Sequence, residues 1–166
     1  LMLDKQTVLP PETIAFYRSA GMSEEILQKR MTDKPFNFAD VVADLPLGFT
    51  RIKQDDVIRI GGRDWDVHIG NGHAPEHATF WSRDDNLVMS GDQILSSISP
   101  NIGVYPTEPM ADPVGEWLEA CERLSLLARD DQLVLGGHKL PFTGLPFRLH
   151  QLIENHHGAL KRLVDY

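Results

Sequence analysis

Residues 8–35 have the hydrophobic spacing of two short helices. The first is predicted to begin at Pro10-Pro11, because proline suits the first turn of a helix, and to end at Gly21. Ser23 is expected to cap the second, which runs to about Met31. Segments this short are not stable alone, so both must pack against other parts of the chain. The side chains predicted to face inward are Ile14, Phe16, Tyr17, Ile26 and Leu27.

Between residues 48 and 100 the pattern changes to short, β-branched and partly alternating segments, which are typical of strands. Gly61-Gly62 and Asp84-Asp85-Asn86 have the composition of turns between such strands. The pattern therefore predicts an antiparallel meander. Its expected strands are Phe49–Ile52, Val57–Ile60, Trp65–Ile69, Ala78–Trp81 and Leu87–Ser90.

Residues 112–166 return to a helical pattern around one short strand. Asp112-Pro113 combines a capping side chain with a first-turn proline, so a helix is expected to begin there. Leu133–Leu135 is a predicted buried strand that ends at Gly136-Gly137, and a last helix runs from about Pro146 to Val164. The inward stripe of the first helix is Val114, Trp117, Leu118, Cys121, Leu124 and Leu127, and that of the last is Leu149, Leu152, Ile153, His156, Leu160, Leu163 and Val164.

The order of helices, meander, helix, strand and helix predicts an α+β fold with helices covering one face of a sheet. The length of 166 residues fits about one domain. A net charge of −8 without a basic stripe disfavours simple electrostatic capture of nucleic acid, although binding through a metal or a local patch stays open. No apolar run approaches the ~20 residues of a membrane span. The single Cys121 cannot form an internal disulfide, so a cytoplasmic location is expected.

Polar side chains follow three of the apolar segments. The loop Gly70–His77 follows one predicted strand, Ser90–Gln93 follows another, and Gly136–His138 follows the last. Loops at strand ends allow a rigid scaffold to aim polar groups at one point, and the glycines permit sharp turns. Imidazole and carboxylate are ligands for zinc, iron or manganese, so these loops are candidates for a metal site.

At these residues the sequence resembles the metallo-β-lactamase superfamily of metal-dependent hydrolases. His73-Ala74-Pro75-Glu76-His77 matches an H-x-P-x-H loop whose last histidine binds metal. Ser90-Gly91-Asp92 matches a strand end whose aspartate bridges two metals, and Gly137-His138 matches a turn whose histidine binds the second metal. The resemblance implies that His77, Asp92 and His138 are metal ligands, with Asp92 as the catalytic residue that orients the nucleophile. His73 is expected to support the loop by hydrogen bonding.

The sequence departs from the family upstream of these motifs. The family's first ligand cluster, H-x-H-x-D-H, is absent from this sequence, and the chain begins at Leu1 rather than at a methionine. We therefore expect only the C-terminal half of a four-layer αββα sandwich. On this interpretation residues 48–166 form that half, and residues 1–47 form a helical insertion or cap. A degenerate member that has lost the cluster is the alternative.

The resemblance implies a hydrolase of ester, thioester or phosphodiester substrates, either small molecules or RNA, that uses metal-activated hydroxide. The expected cofactor is a divalent metal, zinc or else iron or manganese, and this chain carries only part of its site. The alternative function is a non-catalytic truncated or degenerate domain that self-associates through an exposed apolar sheet face. The expected partner is accordingly a second copy or a missing N-terminal half.

Structural roles are the competing interpretation for each histidine and for Asp92. His77, Asp92 and His138 can also be ordinary loop residues, and His68 is expected to be structural. His156 and His157 point about 100° apart on a helix, so they cannot easily bind one metal. His156 is expected at the edge of the core, although a functional role for this pair is left open. Cys121, within an apolar stripe, is expected to be an inert buried thiol.

Overall fold

The computed structural model describes residues 9–33, 41–43 and 46–166. The expected insertion, residues 1–47, therefore lies partly outside the described residues. The contacts divide the chain into two compact units. One unit comprises the described part of residues 1–51 together with Val104–Ala111, and the other comprises Ile52–Gly103 and Asp112–Tyr166. The assignment of residues 1–47 as an insertion stays a prediction.

The first unit contains two short helices, α1 (Pro11–Ser19) and α2 (Glu24–Thr32). The hydroxyl of Ser23 accepts a hydrogen bond from the backbone N–H of Ile26, as expected of an N-cap. Leu27 is fully buried, but Ile26 is 53% exposed, so the prediction for Ile26 is wrong. Ile14, Phe16 and Tyr17 lie on the less exposed side of α1, yet α1 has no fully buried residue. Spacing identifies a shared helix face but not how much of it a neighbour covers.

The second unit is built on a five-stranded sheet in the order β1-β2-β3-β4-β5. The first four strands pair antiparallel, which confirms the meander, and β5 pairs parallel with β4. Phe49–Ile52 is irregular rather than a strand, because a β-branched run does not by itself supply a neighbouring strand. The strands are β1 (Val57–Ile60), β2 (Arg63–Gly70), β3 (His77–Ser82), β4 (Leu87–Gly91) and β5 (Leu133–Gly136).

Two helices, α3 (Pro113–Ser125) and α4 (Leu145–Val164), cover one face of this sheet. The Oδ1 atom of Asp112 accepts a hydrogen bond of 2.9 Å from the backbone of Gly115 and so caps α3. The crossover through α3 is what allows β5 to run parallel to β4. The core beneath the helices comprises Trp81, Val88, Ile94, Trp117, Leu118, Cys121, Leu124, Val134, Leu145, Leu149 and Leu152.

The C-terminal turns of α4 extend the helix beyond its buried part. Leu160, Leu163 and Val164 are 42%, 74% and 85% exposed, so their predicted burial is wrong. The predicted inward position of Leu127 is also wrong, because this residue follows the end of α3 and is 39% exposed. An apolar stripe indicates which face of a helix packs against other elements, but its length does not determine how many of its residues are covered. Within the described ranges, no helix combines the length and apolarity needed to cross a bilayer.

Candidate metal centre

The sheet topology gathers the three predicted loops at one edge. The β2–β3 loop, the end of β4 and the end of β5 all lie at this edge, because β3 is antiparallel to β2 and to β4 while β5 is parallel to β4. The backbone N–H of Gly137 donates a 2.9 Å hydrogen bond to the carbonyl of Gly91 and joins the last two loops. The β2–β3 loop also approaches α3 closely, since a Cβ at Gly72 would collide with Trp117. The backbone hydrogen bond between Gly137 and Gly91 and the close approach of Gly72 to α3 thus fix the positions of the three loops.

The carboxylate of Asp92 faces two imidazoles. Its Oδ2 atom lies 3.4 Å from Nε2 of His73 and 3.5 Å from Nε2 of His138. Two donors on one tetrahedral zinc, each about 2.1 Å from the metal, are about 3.4 Å apart, so both pairs have the spacing of neighbouring ligands. The Oδ1 atom of Asp92 is buried and has no hydrogen-bond partner among the described residues. A buried carboxylate oxygen without a donor is the kind of atom that a cation satisfies.

His77 contacts the backbone of the Asp92 loop, and its ring centroid lies 5.9 Å from that of His73. Its Nε2 accepts a hydrogen bond of 3.3 Å from the backbone N–H of Asp92, whereas its Nδ1 is buried and finds no partner in the part of the chain that the structure describes. Burial lowers the pKa of His77, and the nearby His73 lowers it further. The ring is therefore held in the neutral form, which is the form that binds metals.

His73 is fixed by a second contact. Its Nδ1–H donates a 2.8 Å hydrogen bond to the backbone carbonyl of Asn101. In the neutral ring the Nε2 lone pair then points toward the carboxylate of Asp92, an arrangement that requires a proton or a cation between the two atoms. The sequence predicted only hydrogen-bonded support for His73. Its geometry supplies that support and also directs a ring nitrogen into the site.

Glycines make this close packing possible. A Cβ at Gly137 would collide with Oδ1 of Asp92, and a Cβ at Gly91 would lie 2.6 Å from Cε1 of His77. Gly91 also has a positive φ of 51°, which side chains adopt only at a cost. The sequence motif therefore needs its glycines for two reasons, the turn and the space beside the ligands.

His73 and His138 converge on the carboxylate of Asp92, whereas His77 contacts the backbone N–H of Asp92, so the cluster is incomplete as a metal cage. Among residues 9–33, 41–43 and 46–166, no group of three or more His, Cys, Asp or Glu side chains is arranged to hold a metal ion. The donor types and the unpartnered Asp92 oxygen fit a metal, whereas the number of converging donors does not complete its coordination. The assignment of His77, Asp92 and His138 as ligands stays a prediction.

The remaining predicted histidines lie elsewhere. Nδ1 of His68 accepts a 3.1 Å hydrogen bond from the amide of Gln54, and its ring meets Trp81 edge-on, as expected of a structural residue. Half-buried His156 donates a 2.8 Å hydrogen bond to the carbonyl of Leu152, and its ring centroid lies 4.5 Å from that of Trp117, which places it at the edge of the core. His157 is exposed.

A cavity of about 560 Å³ lies beside this region rather than at it. Its wall includes His68 and Arg123, and the Arg123 guanidinium donates to the carbonyl of Ile69 at 2.7 Å. This hydrogen bond connects α3 to β2. None of the three predicted metal ligands lines this cavity, so its size does not identify the reactive site.

Sequence reasoning missed Gln93. This residue follows Asp92 directly and is fully buried, and within the described ranges neither Nε2 nor Oε1 of its amide has a hydrogen-bond partner. A glutamine after a strand-end turn carries no distinctive sequence signal. The structure shows that Gly70 leaves the space for this side chain, since a Cβ at Gly70 would collide with the Gln93 amide.

The fold and the clustered imidazoles and carboxylate define an α+β domain with a candidate metal centre at a sheet edge. The solved structure of a beta-lactamase domain protein from Burkholderia ambifaria is 36% identical and superposes with a TM-score of 0.71 over 77% of this chain. A metallo-beta-lactamase family protein from Thermus thermophilus is 22% identical, with a TM-score of 0.70 over 91% of this chain, and shows the shared fold. The chain belongs to the metallo-β-lactamase superfamily.

This chain spans 39% of the length of the Burkholderia protein and 46% of the Thermus protein. No family model matches the chain, and no curated protein matches it. The superfamily assignment therefore comes from the fold, from the identity with the Burkholderia protein and from the motifs at the sheet edge.

Proposed function

We propose that this chain is part of a metal-dependent hydrolase that cleaves an ester, thioester or phosphodiester bond. The observation that carries the proposal is the cluster around Asp92, where two imidazole nitrogens lie 3.4 Å and 3.5 Å from one carboxylate oxygen. The other oxygen of the same carboxylate is buried without a hydrogen-bond partner. Membership of the metallo-β-lactamase superfamily supports the reaction class, and the three motifs are common to its branches.

Each residue has a distinct part in this proposal. His77, Asp92 and His138 would hold a divalent metal, zinc or else iron or manganese, because imidazole nitrogen and carboxylate oxygen suit these ions. When bound, the metal supplies Lewis acidity and lowers the pKa of water, which makes a nucleophile available near neutral pH. Asp92 would orient that nucleophile, and His73, fixed on the Asn101 carbonyl, would direct its Nε2 toward the same site beside Oδ2 of Asp92.

The chain would share its site with other residues. The described residues alone do not form a metal-holding group of three, and the sequence contains no H-x-H-x-D-H cluster. We propose that an N-terminal half of the sandwich supplies the remaining ligands and that residues 48–166 are the C-terminal half. The substrate is a small molecule or an RNA that reaches the sheet edge, and the cytoplasm is the proposed compartment.

Zinc binding by this chain tests the proposal directly. Isothermal titration with Zn²⁺ is expected to show one weak site that Asp92→Ala and His138→Ala each weaken at least tenfold, because each removes a ligand. His157→Ala is the matched control, since it removes an exposed imidazole from α4 and is expected to leave zinc affinity unchanged. Zinc affinity that is the same in the wild type, Asp92→Ala and His138→Ala would exclude the proposed ligands.

The outer face of the sheet favours a second candidate role, self-association. Phe80, Met89 and Leu135 are paired across neighbouring strands and form an apolar row on the sheet face opposite the helices. All three side chains are only half-buried. Apolar rows of this kind are common at contacts between proteins. Sedimentation velocity is expected to show a dimer that Met89→Lys disrupts, and a monomer at all concentrations would contradict this role.

A further inference from the structure

Gln93 is held deep beneath the candidate metal centre. Its side chain is fully buried, and its backbone is fixed on both sides. The Gln93 N–H donates to the carbonyl of Ser90 at 3.1 Å, and the Gln93 carbonyl accepts a 3.1 Å hydrogen bond from Nε1 of Trp117. Nevertheless, no described residue supplies a hydrogen-bond partner for either polar atom of the amide. Burying an amide without hydrogen bonds costs free energy, so a fixed and unpaired glutamine indicates a function for its side chain.

The strand register places this amide near His77. The amide lies against Gly70, where a Cβ would collide with it, and Gly70 pairs directly with His77 across β2 and β3. Directly opposed residues present their side chains on the same face, with Cβ atoms about 5 Å apart. The Gln93 amide and the His77 ring therefore share one side of the sheet at neighbouring positions.

The two unpartnered groups are chemically complementary. Nε2 of His77 accepts a hydrogen bond from Asp92, so in the neutral ring the proton resides on Nδ1, which is buried and unpaired. Oε1 of Gln93 is a buried and unpaired acceptor. One donor and one acceptor, both excluded from solvent, thus lie on the same side of the sheet without partners.

We infer that Gln93 is a positioning residue for His77: its amide oxygen receives the Nδ1–H of His77 through one bridging water and fixes the ring so that Nε2 faces the Asp92 loop, where a bound metal would take the place of the Asp92 N–H. This inference rests on the proposed function, in which His77 is a metal ligand. Groups that orient a ligating histidine through its other nitrogen typically change metal affinity by about 10–100-fold when removed.

Side-chain ¹⁵N NMR of the histidines in metal-free chain tests the contact itself. The His77 signals, assigned by their loss in His77→Asn, are expected to show the Nδ1–H tautomer. In Gln93→Met, which keeps the volume but removes the acceptor, these signals are expected to shift toward a mixture of tautomers. Unchanged His77 signals in Gln93→Met would overturn the inference.

Zinc titration tests the consequence. Gln93→Met is expected to weaken Zn²⁺ binding by about 10–100-fold, whereas Gln93→Glu, which keeps an acceptor oxygen, is expected to restore it to within a few fold of the wild type. Gly70→Ala provides a second route, because its methyl group displaces the flexible end of Gln93. The control is Gln132→Met, a buried amide at the start of β5, whose Oε1 accepts from the Arg129 backbone at 2.7 Å.

The outcomes separate the two claims. If wild-type chain binds no zinc, the proposed function fails, while the NMR comparison of wild type and Gln93→Met still decides the role of Gln93. If zinc binds and Gln93→Met and Gly70→Ala both bind as tightly as wild type, the inference fails and the metal site stands. Equal losses in Gln93→Met and Gln132→Met would indicate a general effect of core amides and would also overturn it.

Discussion

At the residue scale, backbone atoms position two histidines of the candidate centre. His73 is fixed by the carbonyl of Asn101, and His77 accepts from the N–H of Asp92. Backbone partners make the positions of these rings depend on loop geometry. The closest contacts therefore fall at glycines, where any side chain would intrude.

Gly137→Ala tests that dependence. The added methyl group would collide with Oδ1 of Asp92, so the carboxylate must move and its Oδ2 would leave the position 3.5 Å from Nε2 of His138. We expect zinc affinity to fall at least tenfold with little change in the melting temperature, because Gly137 is exposed. Gly158→Ala on α4 is the control, since its nearest atom is the end of Arg162 at 3.5 Å. Wild-type zinc affinity in Gly137→Ala would show that the collision is absorbed elsewhere.

Cys121 illustrates a reactive residue made inert by its surroundings. Burial raises the pKa of its thiol to about 12, and the charge of Glu122 adds to this effect. We expect no labelling by a thiol reagent at pH 8 in the folded chain and complete labelling in urea. The raised pKa also predicts that stability falls as pH rises above about 9, where the unfolded thiol ionises first, and that Cys121→Ala reduces this fall. Rapid labelling of the folded chain would contradict the buried position.

At the element scale, capping and pairing explain which predicted elements formed. The helix from Asp112-Pro113 carries its own start signal and forms where expected. Phe49–Ile52 has strand composition but no strand structure. A helix closes its own hydrogen bonds, whereas a strand needs a neighbour, so local pattern is a better guide to helices than to edge strands.

Asp112→Ala is expected to destabilise the chain by about 1 kcal/mol, because the α3 cap loses its acceptor for the Gly115 N–H. Urea unfolding followed by circular dichroism measures this change. Asp131→Ala is the matched control, because that carboxylate is 58% exposed and makes only a surface ion pair with Arg129. Equal free energies of unfolding for Asp112→Ala and wild type would show that the cap contributes nothing.

At the scale of the whole molecule, charge limits the partners that the chain attracts without a metal. The net charge of −8 opposes the approach of RNA and favours the capture of cations. The outer apolar row of the sheet and the candidate centre lie in the same unit, so under the proposed function one partner would be able to cover both. An RNA substrate would depend on the metal for its attraction.

We therefore expect no binding of a single-stranded RNA oligonucleotide at physiological salt when EDTA is present, as measured by fluorescence anisotropy. Addition of zinc is expected to raise affinity if RNA is the substrate class. Tight binding in EDTA would show that a local basic patch, rather than the metal, recognises the nucleic acid.

The sequence by itself determined the meander, α3, α4 and the three loops that carry His77, Asp92 and His138, because periodicity, caps and glycine turns are local properties. Only the tertiary structure decided that these loops meet with His73 at one edge, that Gln93 and His77 are buried with unpaired polar atoms on one side of the sheet, and that the end of α4 stays exposed. These features depend on strand order, register and the extent of neighbouring surfaces. Such relations join residues far apart in the chain, and no local pattern encodes them.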